Sequence, residues 1–239
     1  MRLSQFRALT FDCYGTLIDW ESGIFAGLRP LLERGGVMMA RDTVLELYAR
    51  HEAAQEAETP GMLYSELLGV VQGRVARALG VVPDAGEQAR FGASVKDWPA
   101  FADSVAALGY LKQHFQLVIL SNVDRASFAA SNVRLGIEFD AIYTAQDVGS
   151  YKPDPANFRH LITRMAARGV EQREILHTAQ SLFHDHVPAR RLGLASAWID
   201  RRHDQPGWGA TAPVAGAEYD FRFTSLEAMA AAHRQEVAE

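Results

Sequence analysis

Apolar and polar positions along the chain fall into two rhythms. Phe6 to Phe11 (FRALTF) is a short apolar, partly aromatic run that predicts a buried strand, and Gly15 punctuates the turn after it. From about Ser22 to Arg90 the spacing of apolar residues is helical nearly throughout. It predicts helices over Gly23–Arg34, Arg41–Glu58, Met62–Leu79 and Asp84–Phe91, broken at Gly35-Gly36, Thr59-Pro60-Gly61 and Gly80 to Pro83. After Trp98-Pro99 strands and helices alternate. The pattern predicts a helix over Asp103–His114, a strand over Leu117–Leu120, a helix over Arg125–Leu135 and a strand over Ala141–Thr144. A helix over Pro155–Arg168 follows, with its proline in the first turn, where a missing N–H costs least. Then come a strand over Glu174–Thr178, a helix over Asp185–Leu192, strands over Ser196–Ile199 and near Phe221–Phe223, and a helix from Ser225. His203 to Ala217, rich in Gly, Pro and Ala, reads as a loop.

Strands alternating with helices imply parallel βαβ units, hence an α/β fold with an open, doubly wound, Rossmann-like sheet. The helical block interrupts that alternation after the first strand. The expected organisation is a core of residues 1–20 and 96–239 with an inserted α-helical cap of residues 21–95, hung from two connectors and placed to move as a lid.

With 239 residues, 48% of them hydrophobic, the chain can bury such a core. Its net charge of -5 and lack of a basic tract argue against nucleic acid or an anionic membrane surface as partner. A lone cysteine, Cys13, rules out a disulfide within the chain. No apolar run approaches the ~20 residues needed to span a bilayer, and the expectation is a cytoplasmic protein, compatible with a homodimer.

In open α/β sheets ligands bind at the carboxyl ends of the strands. Asp12 follows the first strand, Ser121 and Asn122 follow LVIL, Lys152 follows Ala141–Thr144, and Asp185 follows ILHT. Each alone is a weak signal: a turn-capping acid, a helix cap, a surface lysine, an acid at a helix start. Together they put an acid, a hydroxyl–amide pair, a lysine and a second acid on one rim, which packing does not explain.

FDCYGTLID, LSNVD, SYKPDP and SLFHDHVPARRLGL resemble, in order, the four motifs of the haloacid dehalogenase superfamily. The YGT after Asp12 resembles the L-2-haloacid dehalogenase branch. FDCYGTLIDWE, SVKDWPAF, AQDVGSYKPDP and SLFHDHVPA are also similar to members of that branch that hydrolyse L-azetidine-2-carboxylate. The resemblance implies a hydrolase that attacks the α-carbon of a small 2-substituted carboxylate and passes through an ester on Asp12. The leaving group would be a halide or the strained ring nitrogen. Thr16 would brace Asp12 or cap a helix, and Lys152 would pair with Asp12 and Asp185. Ser121 and Asn122 would donate to the substrate carboxylate, with helix capping as the alternative for Asn122. Asp185 would orient Lys152 or water. Tyr14, Trp20, Trp98 and Phe183 would line the pocket or belong to the core.

Departures narrow the reading. Superfamily phosphatases resemble DxDxT, yet the second acid is Tyr14 here, a poor proton donor at its ordinary pKa near 10. Their Gly-Asp pair is Ala179 and Gln180, which leaves too few oxygen ligands for a hard divalent cation, so no metal or other cofactor is expected. The asparagine that positions water in haloacid dehalogenases is Leu182, and the tyrosine after the motif lysine is Phe158. The halide-cradling arginine has no secure counterpart among Ala49, Arg50 and Arg41. His184 is expected to support the site from behind, His186 to lie at the surface, and Cys13 to be a buried thiol. A phosphatase and a non-catalytic binding module remain the competing classes.

Overall fold

The computed structural model describes residues 1–239. Six parallel strands form one sheet in the order β3-β2-β1-β4-β5-β6. They are β1 Ala8–Phe11, β2 Gln116–Ser121, β3 Ala141–Thr144, β4 Ile175–Ala179, β5 Ala195–Ile199 and β6 Phe221–Phe223. β1 pairs with β2 on one side and β4 on the other, with Phe11 opposite Ile119 and Thr178. Strand order reverses across β1, so the loop after β1 opens into a crevice between diverging connections. Period-two alternation sorts the side chains. Leu9, Phe11, Leu117 and Ile119 share a core with helices α5 (Ser104–Leu111), α6 (Arg125–Leu135) and α10 (Leu226–Ala238). Ala8, Val118 and Leu120 share the opposite core with α8 (Pro155–Ala167) and α9 (Val187–Arg191). The α/β doubly wound expectation therefore holds.

Between β1 and β2 run α1 (Trp20–Gly35), α2 (Arg41–Glu58), α3 (Tyr64–Ala78), α4 (Ala85–Gly92) and a 3-10 turn, Ala93–Asp97. Apolar stripes on α1 (Ile24, Leu28, Leu31), α2 (Val44, Leu45, Tyr48) and α3 (Leu67, Leu68, Val71) bury against one another and run on into the larger sheet core. Gly23 gives up its side chain to Trp98, since a Cβ there would land on the indole ring. Two elements differ from the sequence reading. Four-residue helix α7 (Ala145–Val148) follows β3, capped by Thr144 and Asp147 acting on each other's backbone. The helix expected over Asp185–Leu192 begins instead as a π turn, Leu182–His186, before α9. Pro30 sits inside α1 without ending it. No helix is long and apolar enough to cross a membrane.

Candidate active site

Asp12 is the first residue beyond β1, and its backbone N–H still donates to Thr178 O on β4 (3.1 Å). Its carboxylate is held from two sides. Thr16 Oγ1 donates to Oδ2 at 2.8 Å and accepts from Gln180 N at 2.9 Å, tying the β1 loop to the β4 loop. Lys152 Nζ donates to Oδ1 at 2.9 Å, to Asp185 Oδ1 at 2.7 Å and to Leu120 O at 2.9 Å, so all three ammonium protons are used. Gly15 has φ +89, and a Cβ there would stand 2.9 Å from Trp20 Nε1. Only glycine both turns the chain and lets Trp20 close over the loop. The carbonyl of Thr16 is gripped in turn by Arg201, whose Nε and Nη2 donate at 3.1 and 2.8 Å. The same guanidinium forks onto Asp103 at 2.8 and 2.9 Å.

These groups are out of water, which sets their protonation. Burial pushes the Asp12 carboxyl above its ordinary value, with Lys152 working against that rise. Burial would also raise Asp185, but Lys152 and then a hydrogen bond from His177 hold it well below the carboxylate range. Burial lowers the Lys152 ammonium, and the two aspartates more than restore it. His177, inside β4, places Nε2 2.9 Å from Asp185 Oδ1 and Nδ1 2.9 Å from Thr10 Oγ1. Asp185 Oδ2 is buried without a partner, as is Ser121 Oγ.

Above Asp12 lies a small pocket. Its lining includes Tyr14, Trp20, Lys152, Asn122, Ser181, His184 and Asp185 from the core, and Glu52, Glu56 and Tyr64 from α2 and α3. Its free volume is about 30 Å³, room for no more than a few waters. Glu52 Oε1 accepts from Tyr48 Oη (2.6 Å) and Tyr64 Oη (2.8 Å). Burial still raises Glu52 to about 7. Glu56, raised well above its ordinary value by burial and then by Glu52, has one hydrogen bond, from Asn122 Nδ2 at 3.3 Å. His184 Nε2 is 3.9 Å from Glu56 Oε2 and unpartnered, and burial lowers the imidazole to about 4, so it stays neutral.

Three sequence expectations need correction. Asn122 is not free to meet a carboxylate: its Oδ1 accepts from Lys152 N at 2.6 Å, and its Nδ2 donates to Lys152 O at 2.9 Å. Nor does it cap α6, where Asp124 accepts from Ser127 N. Trp98 takes the core alternative, packed edge-on behind Tyr14 at 5.6 Å, whereas Phe183 neither lines the space nor joins the core and lies against His184. His186 is wholly buried, not at the surface. Its Nε2 donates to Ala179 O (3.0 Å) and its Nδ1 accepts from Ser196 Oγ (2.9 Å), because a carbonyl can only accept. Tyr14 lines the space, but its hydroxyl is taken up by Ser131 Oγ at 2.9 Å.

Sequence reasoning missed Glu52, Glu56, His177 and Arg201. The first two had a signal. The buried face of α2 runs Val44, Leu45, Tyr48 and then continues as Glu52, Gln55 and Glu56, so acids occupy the positions an apolar stripe would fill.

The donor set does not fit magnesium. Both Asp12 oxygens and Asp185 Oδ1 are committed to Lys152, Thr16 or His177, leaving Asp185 Oδ2 as the one uncommitted oxygen of the pair. Residues 6–178 match the sequence pattern of the haloacid dehalogenase-like hydrolases, and the chain belongs to that family. The match stops short of the turn that carries Asp185. No curated protein sequence matches the chain. Among solved structures, the L-2-haloacid dehalogenase PA0810 is similar with a TM-score of 0.76 at 23% identity, covering 98% of this chain and 100% of that one. The L-2-haloacid dehalogenase from Xanthobacter autotrophicus with chloropropionic acid covalently bound gives 0.77 at 20% identity, over 96% and 98%. YfnB from Bacillus subtilis, bound to magnesium, gives 0.76 at 17% identity, over 98% and 100%. At these identities the likeness shows the fold.

Proposed function

We propose that this hydrolase opens the ring of L-azetidine-2-carboxylate, or of a close cyclic amino acid, through an ester on Asp12. The observation that carries the reading is the charge of the space above Asp12. Glu52 and Glu56 face it, and no arginine does. Negative charge on Glu52 repels a departing halide but suits a nitrogen that arrives as an ammonium, and neither acid supplies the cation a halide needs. Asp12 attacks the α-carbon and the C–N bond breaks, driven by relief of ring strain. Ser121 Oγ is buried without a partner and does not border the space, so in this scheme it serves as a donor for the substrate carboxylate only once the site has opened. Water then attacks the ester carbonyl of Asp12 and releases 4-amino-2-hydroxybutanoate, with Asp185 Oδ2 as a free acceptor for that water. Residues 21–95 act in this scheme as a cap that parts from the core to admit substrate, since the space as it stands is too small to hold one.

The second reading is dehalogenation of an (S)-2-haloacid, favoured by the likeness to L-2-haloacid dehalogenases. It uses the same attack and differs only in the leaving group. A phosphatase is disfavoured because Tyr14 offers no proton: burial raises its phenol well above the ordinary value. The test is turnover of L-azetidine-2-carboxylate, (S)-2-chloropropionate and p-nitrophenyl phosphate, each with and without EDTA. Ring opening indifferent to EDTA is the expected result. Turnover of the phosphate ester alone, lost with EDTA, overturns the reading.

A further inference from the structure

We propose that Glu56 hands a proton to the nitrogen as it leaves, a role that rests on the ring-opening reading of this site. Glu56 is placed for it by the residue that places Lys152. Asn122 Nδ2 donates both to Lys152 O and to Glu56 Oε1, so one amide fixes the acid relative to the nucleophile's ion pair. Glu56 Oε2 receives no hydrogen bond, and the residue borders the same small space as Asp12 while only 7% exposed. Its neighbours divide the work. Glu52, on the same helix, takes both tyrosine hydroxyls and is the better place for negative charge facing the incoming ammonium. Lys152, Tyr151 and Asn122 face Glu56 from the core, and His184 from the turn after β4. Burial beside Glu52 keeps the Glu56 proton on well above the usual carboxylate range. Two acids given different hydrogen-bond partners by their surroundings take different roles.

The chemistry needs such a donor. The ring nitrogen enters as a secondary ammonium. When Asp12 takes the α-carbon, the C–N electron pair stays with nitrogen, which becomes a neutral primary amine tethered beside a fresh ester. Left so, it can re-close the ring or attack the Asp12 carbonyl and strand the nucleophile as an amide. A proton from Glu56 converts it to an ammonium, which can do neither, and leaves a carboxylate to hold it. The balance closes. Ester formation takes one proton from Glu56, and attack of water on the ester releases one, with neutral His184 Nε2 on the route back.

The test reads ester formation directly. Enzyme in excess is mixed with L-azetidine-2-carboxylate, quenched, and the mass added to Asp12 is followed from about pH 5 to 9. Wild type should show a rate that falls as pH rises through the Glu56 ionisation. Glu56→Gln should be slower by at least about 100-fold with that limb gone, and Glu56→Asp should recover the limb and part of the rate. Circular dichroism melts of both variants establish that they fold. An ester forming in Glu56→Gln at the wild-type rate, with the wild-type limb, overturns the Glu56 assignment alone. No ester in wild type overturns the covalent ring-opening reading and the assignment with it.

Discussion

Asn122 holds Lys152 by its backbone from both sides, accepting from its N–H at 2.6 Å and donating to its carbonyl at 2.9 Å. The pair mimics one rung of a strand ladder in a place where the chain has left the sheet. Its effect is to fix the root of the lysine, so that Nζ reaches Asp12, Asp185 and Leu120 O together. Asn122→Ala removes three hydrogen bonds and leaves a half-buried loop to sag. We expect a loss of about 2–3 kcal/mol in stability, and a fall in kcat larger than any change in KM. Urea denaturation and steady-state kinetics check the two halves.

The path of oxygen distinguishes an ester on Asp12 from direct attack by water. In one turnover with excess enzyme in heavy-oxygen water, the product hydroxyl should be unlabelled, because it comes from the old Asp12 carboxylate. The label should appear in the peptide carrying Asp12, and only later turnovers should pass it to product. Asp12→Asn should abolish turnover while keeping the fold. Label in the first-turnover product, read by mass spectrometry, would sink the covalent route.

Glu52 ties stability to pH. Its folded pKa is raised to about 7 from 4.5, so the folded protein keeps this proton where the unfolded chain has lost it. The resulting stability is whole below about pH 4.5 and is lost as pH rises through about 7. Glutamine can accept from Tyr48 and Tyr64 but cannot ionise. Glu52→Gln should therefore melt like wild type near pH 4 and be more stable near pH 8, by an amount on the order of a few kcal/mol. Melting curves at both pH values settle it, and equal curves at pH 8 would show that Glu52 is not strained by burial.

Arg201 couples a buried ion pair to the nucleophile loop. Arg201→Lys keeps the charge but cannot fork onto Asp103 while donating twice to Thr16 O. We expect about 1–3 kcal/mol of destabilisation and a drop in kcat of about tenfold, the size of a 1.4 kcal/mol rise in barrier. An unchanged kcat with lowered stability would show that the loop holds its shape without the arginine.

The sheet and its helices were legible because each rests on a local rhythm that the fold does not override: LVIL and ILHT are buried strands in any α/β context. Asp12, Thr16, Lys152 and Asp185 were legible for a related reason. Strand ends are where such a sheet gathers its polar groups, and each of the four lies in or just after a short loop beyond one. Glu52 and Glu56 were not legible in the same way. They reach the space from α2, a connection that never pairs with the sheet, and nothing local to EAAQE says which surface it covers. Asn122 was misread because an amide at a strand end suits a ligand, a helix cap or a neighbouring backbone equally well. Which one it meets depends on a loop thirty residues on. His186 was read as a surface residue because two histidines flanking one acid at a helix start point in different directions, whereas the π turn over Leu182–His186 leaves its ring buried against Ala179 and Ser196.

The space above Asp12 holds only a few waters, and its walls come both from the strand-end loops and from α2 and α3. If those helices part to admit substrate, as the ring-opening scheme requires, a ligand would meet this protein twice: first at an open mouth, where size and charge decide entry, and again after closure, where every misplaced atom must fit against α2. On that scheme residence time would belong to the cap rather than to the chemistry, and a common amino acid of similar shape would enter and leave many times without ever touching Asp12 in a reactive pose.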